Sequence, residues 1–206
     1  NRYTNLLNLG RVQTLRKQYE SALAYFAEGR PLMPPDGWQI PGYRCITYTE
    51  MGRLDEALAD CNEVIAKYPK FAGPLTRRAN VYRTKGNLEA ALTDYNDALK
   101  LSPNYVIAYV GRAQLHELRK DMVAARADYR SAGAALTKFD EYETTLARRF
   151  AKERLAALIA ADPSLRSQSA LPSVPSVGKG DVPAAMGANV PRRVALIVGN
   201  GAYRNV

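Results

Sequence analysis

Few residues in this sequence have the chemistry to act on another molecule. Cys45 and Cys61 are the two cysteines and His116 is the single histidine. A thiolate can be a nucleophile, and two thiolates can form half of a tetrahedral metal site. The stretch around His116 does not supply the partners that catalysis needs, and His116 stands where neighbouring segments carry Tyr48 and Tyr82, so a packing or edge role is expected. The cysteines lie where related segments carry Ala, Gly, Tyr or Phe. They read as buried small hydrophobes, with a reactive thiol or half of a metal site as the alternatives. Arg77, Asn80 and Arg83 recur at three-residue steps on one helix face and could read a carboxylate through charge-assisted hydrogen bonds. Gly199-Asn200-Gly201 follows an apolar run, which is a dinucleotide-binding signal, but Arg204 stands where a third glycine belongs. No cofactor is expected from these residues.

What positions these side chains is a repeat of 34 residues. Ala79, Tyr82, Gly86, Ala91, Tyr95, Ala98 and Pro103 mark one copy; 34 residues earlier stand Cys45, Tyr48, Gly52, Ala57, Cys61, Val64 and Pro69. The same distance later come Ala113, His116, Lys120, Ala125, Tyr129, Ala132 and Thr137. An earlier copy matches once one extra residue at Gly37 is allowed, so the units are 3–36, 38–71, 72–105 and 106–139. Each unit reads as two antiparallel helices. Leu75, Ala79 and Tyr82 share one face of a first helix that Gly86-Asn87 ends. Leu88, Ala91, Leu92, Tyr95, Ala98 and Leu99 make the stripe of a second helix, which Ser102-Pro103 breaks. Ala22, Ala57, Ala91 and Ala125 recur early in the second helices, where two backbones approach and a larger side chain would overpack.

This pattern resembles the tetratricopeptide repeat (TPR) over about two thirds of the chain. It departs from that family in lacking a tryptophan near each unit's start, in Cys61 replacing an aromatic, and in Thr137 replacing a proline. The resemblance implies an all-α fold, a right-handed superhelical solenoid of helix pairs. Its first helices would line a concave groove that binds peptides or proteins. The positions that face the groove in this family are Arg11, Tyr43, Arg77, Asn80, Arg83 and Gln114. Leu7, Gly73 and Tyr43 stand where chaperone-tail-binding relatives carry lysine or asparagine, so an acidic or polar peptide is expected rather than a chaperone tail.

The net charge is +9, with 20 basic against 14 acidic residues in 1–139, 4 against 5 in 140–162, and 5 against 1 beyond. That balance favours acidic partners. No aromatic-interleaved basic motif accompanies it, so scattered charges read as solvated helix faces rather than a nucleic-acid surface. No apolar run approaches the roughly 20 residues of a membrane helix. Nothing in the sequence fixes a compartment beyond a cytoplasmic guess, and a targeting segment could precede Asn1.

Residues 140–161 carry Tyr142, Leu146, Phe150, Ala151, Leu155, Leu158 and Ile159 at helical steps, opposite Arg148, Arg149, Lys152, Glu153 and Arg154. An amphipathic helix of this kind is expected to cap the array. Residues 163–191 hold five prolines and five serines among 29 residues and no aromatic, the composition of a flexible linker. In 192–206, Val194 to Val198 reads as a strand buried on both faces, the start of a truncated α/β domain. Such an orphan edge could pair with a second copy of itself. The stretch RRVALIVGNGAYRNV resembles the opening strand and turn of bacterial caspase-like domains. That resemblance implies an attached cysteine peptidase whose histidine and cysteine would follow later strands, and no catalytic residue carries over to this chain. The sequence thus leaves three readings: an interaction module serving a caspase-like peptidase, a stand-alone adaptor, or the helical adaptor of a nucleotide-binding enzyme.

Overall fold

The computed structural model describes residues 1–136 and 142–162. The described residues form helices α1 (Arg2–Leu15), α2 (Tyr19–Gly29), α3 (Gln39–Glu50), α4 (Leu54–Lys67), α5 (Ala72–Lys85), α6 (Leu88–Leu101), α7 (Val106–Leu118), α8 (Met122–Ala134) and α9 (Tyr142–Ala161), with a 3₁₀ turn at Arg30–Leu32. They make an all-α solenoid of antiparallel pairs: α1 on α2, α3 on α4, α5 on α6, α7 on α8, with α9 against the last pair. The linker expected at 163–191 and the strand expected at 192–206 lie outside the described residues. Among the described residues no helix is long and apolar enough to cross a membrane.

The helix boundaries follow from local chemistry. Gly86 ends α5 at φ +82° and Gly52 follows α3 at φ +76°, a left-handed conformation that costs glycine nothing. In the first and fourth units lysine fills the same turn, Lys17 at φ 60° and Lys120 at φ 61°. A side chain with a Cβ is strained there. Lys17→Gly and Lys120→Gly are therefore expected to stabilise the fold by about 0.5–1 kcal/mol each. Urea titration of the two variants checks this, and a lower midpoint in both would contradict it. Two of the second helices, α6 and α8, begin under side-chain caps: Asn87 accepts from the Ala90 amide at 3.2 Å and Asp121 from the Ala124 amide at 3.0 Å.

Packing repeats with the sequence. Ala22, Ala57, Ala91 and Ala125 are completely buried, as the spacing predicts for helix-pair contacts. In the first, third and fourth pairs a small residue of the first helix packs with a large one of the second helix 16 positions on: Gly10 and Phe26, Ala79 and Tyr95, Ala113 and Tyr129. In the second unit these slots hold Cys45 and Cys61. Here the sequence expectation needs correcting. The cysteines are buried, yet they are not independent small hydrophobes but a disulfide joining α3 to α4 across Cα atoms 5.6 Å apart. Because the two slots face each other in every pair, filling both with cysteine places the sulfurs in bonding range.

The charges correct the expectation of wholly solvated faces. Arg44 pairs with Asp60, Arg78 with Asp94 at 2.7 Å, and Arg112 with Asp128 at 2.7 Å, each bidentate and each repeating the 16-residue spacing. The aspartates are nearly buried, 5–7% exposed. Arg78 also donates to Asn62 at 2.8 Å and Arg112 to Asn96 at 2.6 Å, so each arginine ties its own helix pair to the preceding one.

Helix α9 closes the stack. Ala147 and Ala151 are fully buried against α7 and α8, and the Phe150 ring meets Tyr129 edge-on with centroids 6.0 Å apart. Arg154 bonds Glu117, which also accepts from the Tyr129 hydroxyl at 2.7 Å. Burial alone would raise the Glu117 carboxyl, but these hydrogen bonds hold it below its ordinary range.

Candidate functional site

Successive first helices touch one another as well as their partners, α1 on α3, α3 on α5 and α5 on α7. That contact row makes them the inner layer of the solenoid and the second helices the outer one. The six positions expected to line a groove all lie on first helices: Arg11 on α1, Tyr43 on α3, Arg77, Asn80 and Arg83 on α5, and Gln114 on α7.

The structure sorts these six into separate groups. Arg11, Tyr43 and Arg77 come together. The Arg11 guanidinium carbon lies 4.5 Å from the Tyr43 ring centroid and that of Arg77 lies 5.4 Å from it. Arg77 is also 5.2 Å from the Trp38 ring, which stacks with Tyr43 at 6.5 Å and 27°. Phe71 braces Trp38 edge-on at 5.2 Å. Two cationic side chains thus share one aromatic surface, an arrangement favoured by the negative faces of the rings. Gly42 makes room for it, because a Cβ there would lie 3.0 Å from Arg77 Nη1 and 3.1 Å from the indole. Arg77 Nη1 is buried and has no hydrogen-bond partner among the described residues. A buried guanidinium nitrogen normally donates, so Arg77 keeps donor capacity that the described residues leave unused.

Asn80 and Arg83 form a second, inward group. The Tyr95 hydroxyl donates to Asn80 Oδ1 at 2.5 Å and accepts from Arg83 Nε at 3.2 Å. Burial pushes the Tyr95 hydroxyl above its ordinary range, so it stays a donor. Glu50 of α3 lies nearby: burial raises its carboxyl, opposed by Lys17 and Arg83. Arg83, only 9% exposed, therefore spends its charge within the fold. Gln114 is 8% exposed, and its Oε1 is a buried acceptor without a partner among the described residues.

The inner helices thus carry one aromatic and basic locus, a hydrogen-bonded polar network, and a buried amide. Sequence reasoning missed Trp38 and Gly42. The signal was present: Tyr43 and Arg77 are one repeat apart, so they stand side by side on adjacent first helices, and Trp38 precedes the helix that carries Tyr43. His116 lies 3.7 Å from Asp128 and 3.9 Å from Asp121, an edge role beside the Arg112 pair as its position implied. Burial lowers its affinity for a proton.

A family model described as TPR repeat matches residues 79–118. No curated protein matches the chain. Among solved structures, the chain is similar to a thermophilic TPR protein of Thermus thermophilus, at 22% identity and a TM-score of 0.61, over 80% of this chain and 95% of that one. It is similar to a tetratricopeptide repeat protein from Parabacteroides merdae, at 21% identity and a TM-score of 0.53, over 79% of this chain and 67% of that one. A third likeness is to MamA, at 14% identity and a TM-score of 0.50, over 82% of this chain and 97% of that one. The fold is that of a TPR solenoid.

Proposed function

We propose that this TPR array is a protein-interaction module whose inner face binds an acidic or polar peptide segment through Arg77, with Arg11, Tyr43 and Trp38 around it. The observation that supports this reading is the pair of guanidinium groups of Arg11 and Arg77 held on the Tyr43 and Trp38 rings, with Arg77 Nη1 lacking a partner among the described residues. A guanidinium fixed in this way has lost its side-chain entropy before any ligand arrives, so a carboxylate gains charge-assisted hydrogen bonds at reduced cost. Asn80 and Gln114 extend the polar row along the inner helices and would meet the peptide backbone. Arg83 supports the site by holding Tyr95 and Asn80.

The test is titration of the array with short fluorescent peptides that are Asp/Glu-rich, uncharged or Lys-rich. The acidic set should bind and weaken with salt. Arg77→Glu should weaken it by about 2 kcal/mol, roughly thirtyfold in Kd, with the fold's circular dichroism unchanged. Equal affinity of the variant, or a preference for the Lys-rich set, would remove Arg77 from the site.

We further propose that the array recruits partners for, or regulates, an attached caspase-like cysteine peptidase domain. This reading rests on the resemblance of RRVALIVGNGAYRNV to the opening of such domains and on the Pro- and Ser-rich composition of 163–191 before it. A longer chain would then cleave peptides through a cysteine beyond Val206 and lose that activity to thiol alkylation. Absence of a histidine and cysteine pair in the added sequence would leave the adaptor reading, with no peptidase.

A further inference from the structure

The disulfide occupies a place that in every other unit is filled by shape. Gly10 with Phe26, Ala79 with Tyr95 and Ala113 with Tyr129 each set a small residue under a ring. Only the second unit lacks the ring, and two thiols cannot fill the volume of a small residue and an aromatic one. The pair is enclosed by Ala57 and Val81, with Tyr48, Leu54 and Leu58 packed on them, and Cys45 and Cys61 are 0% and 1% exposed. Thiol–disulfide exchange requires a thiolate to reach a sulfur along the bond axis. In the closed fold neither sulfur is accessible, so the bond is made while the second unit is still open and is shielded afterwards.

We propose that the Cys45–Cys61 bond is a permanent staple that the second repeat needs in place of the aromatic interlock, and that this chain therefore folds in an oxidising compartment. The step balances as an exchange. The two thiols give up two protons and two electrons, and a disulfide-bearing oxidant takes them, its own sulfur–sulfur bond becoming two thiols. Disulfides of this kind form and persist outside reducing cytosol.

The experiment produces the chain in an oxidising and in a reducing compartment, denatures it without reductant, and counts maleimide adducts by mass. Oxidised protein should carry none and reduced protein two. The oxidised native protein should resist dithiothreitol until denatured. Reduced protein should melt about 6–12 °C lower than oxidised. Cys45→Ala/Cys61→Ala should melt low regardless of redox state. Cys45→Ala/Cys61→Tyr restores the interlock of the neighbouring units and should melt near the oxidised protein in both conditions. Two adducts on protein from the oxidising compartment would overturn the proposal. So would rapid reduction of the native fold, coincident melting of oxidised and reduced protein, or a Cys45→Ala/Cys61→Tyr variant no better than the double alanine.

Discussion

Tyr95→Ala is expected to destabilise the array by about 3–5 kcal/mol, the range for removing a fully buried aromatic side chain. Tyr95 is 0% exposed and packs with Ala79, Ala91 and Leu115, so its removal opens a void between α5, α6 and α7. Its hydroxyl also bonds Asn80 and Arg83, each of which would lose one hydrogen bond. Tyr95→Phe separates the two losses. It keeps the ring and removes only the hydrogen bonds, and should cost about 1–2 kcal/mol. Guanidinium denaturation of both variants reads the difference. Equal costs would mean that the polar network, rather than packing, carries the stability of this unit.

Arg78→Ala should cost about 2–3 kcal/mol, more than an exposed ion pair, because it strands the Asp94 carboxylate in a nearly dry site and frees Asn62 of the preceding pair. Asp94→Ala leaves behind a guanidinium that is 23% exposed and can turn toward water, so it should cost less. Replacing both by apolar residues of similar size, Arg78→Met with Asp94→Leu, should recover part of the loss. If the double replacement is as unstable as Arg78→Ala, the buried charge is not the origin of the cost.

The helix pairs were legible because their determinants are local and recur. Gly86-Asn87 predicts the end of α5 and Ser102-Pro103 the end of α6, and the row of fully buried alanines follows from periodicity alone. The disulfide and the Arg–Asp rungs were harder to read. Cys45 and Cys61, or Arg78 and Asp94, are 16 residues apart, a separation that means contact only after two helices have been folded back on each other. Charges recurring at that spacing also look like solvated faces until burial of the aspartates is known. The groove was legible in part. Helical spacing puts Arg77, Asn80 and Arg83 on one helix face; α5 carries all three, but Arg83 bonds inward to Tyr95 while Arg77 reaches across to Tyr43 of α3. Trp38 was not legible as part of the site because it precedes its helix and the corresponding positions one and two repeats on, Ala72 and Val106, carry no ring.

The rungs that bind one helix pair to the next do not run the whole length. Arg78 and Arg112 each grip an asparagine of the preceding unit, Asn62 and Asn96. One unit earlier, Ala27 stands where that asparagine would be, and Leu9 and Tyr25 replace the arginine and aspartate of the first unit's own pair. In a linear array stability propagates through nearest-neighbour coupling. The second to fourth units are wired as one cooperative block. The first is joined to it by apolar packing, the Thr14–Thr47 hydroxyl contact and more exposed links such as Arg30 to Glu63. Fraying from the amino-terminal end would carry Arg11 away from Tyr43 while leaving Arg77 and its indole in place, so the mouth of the groove can loosen without the melting of its floor.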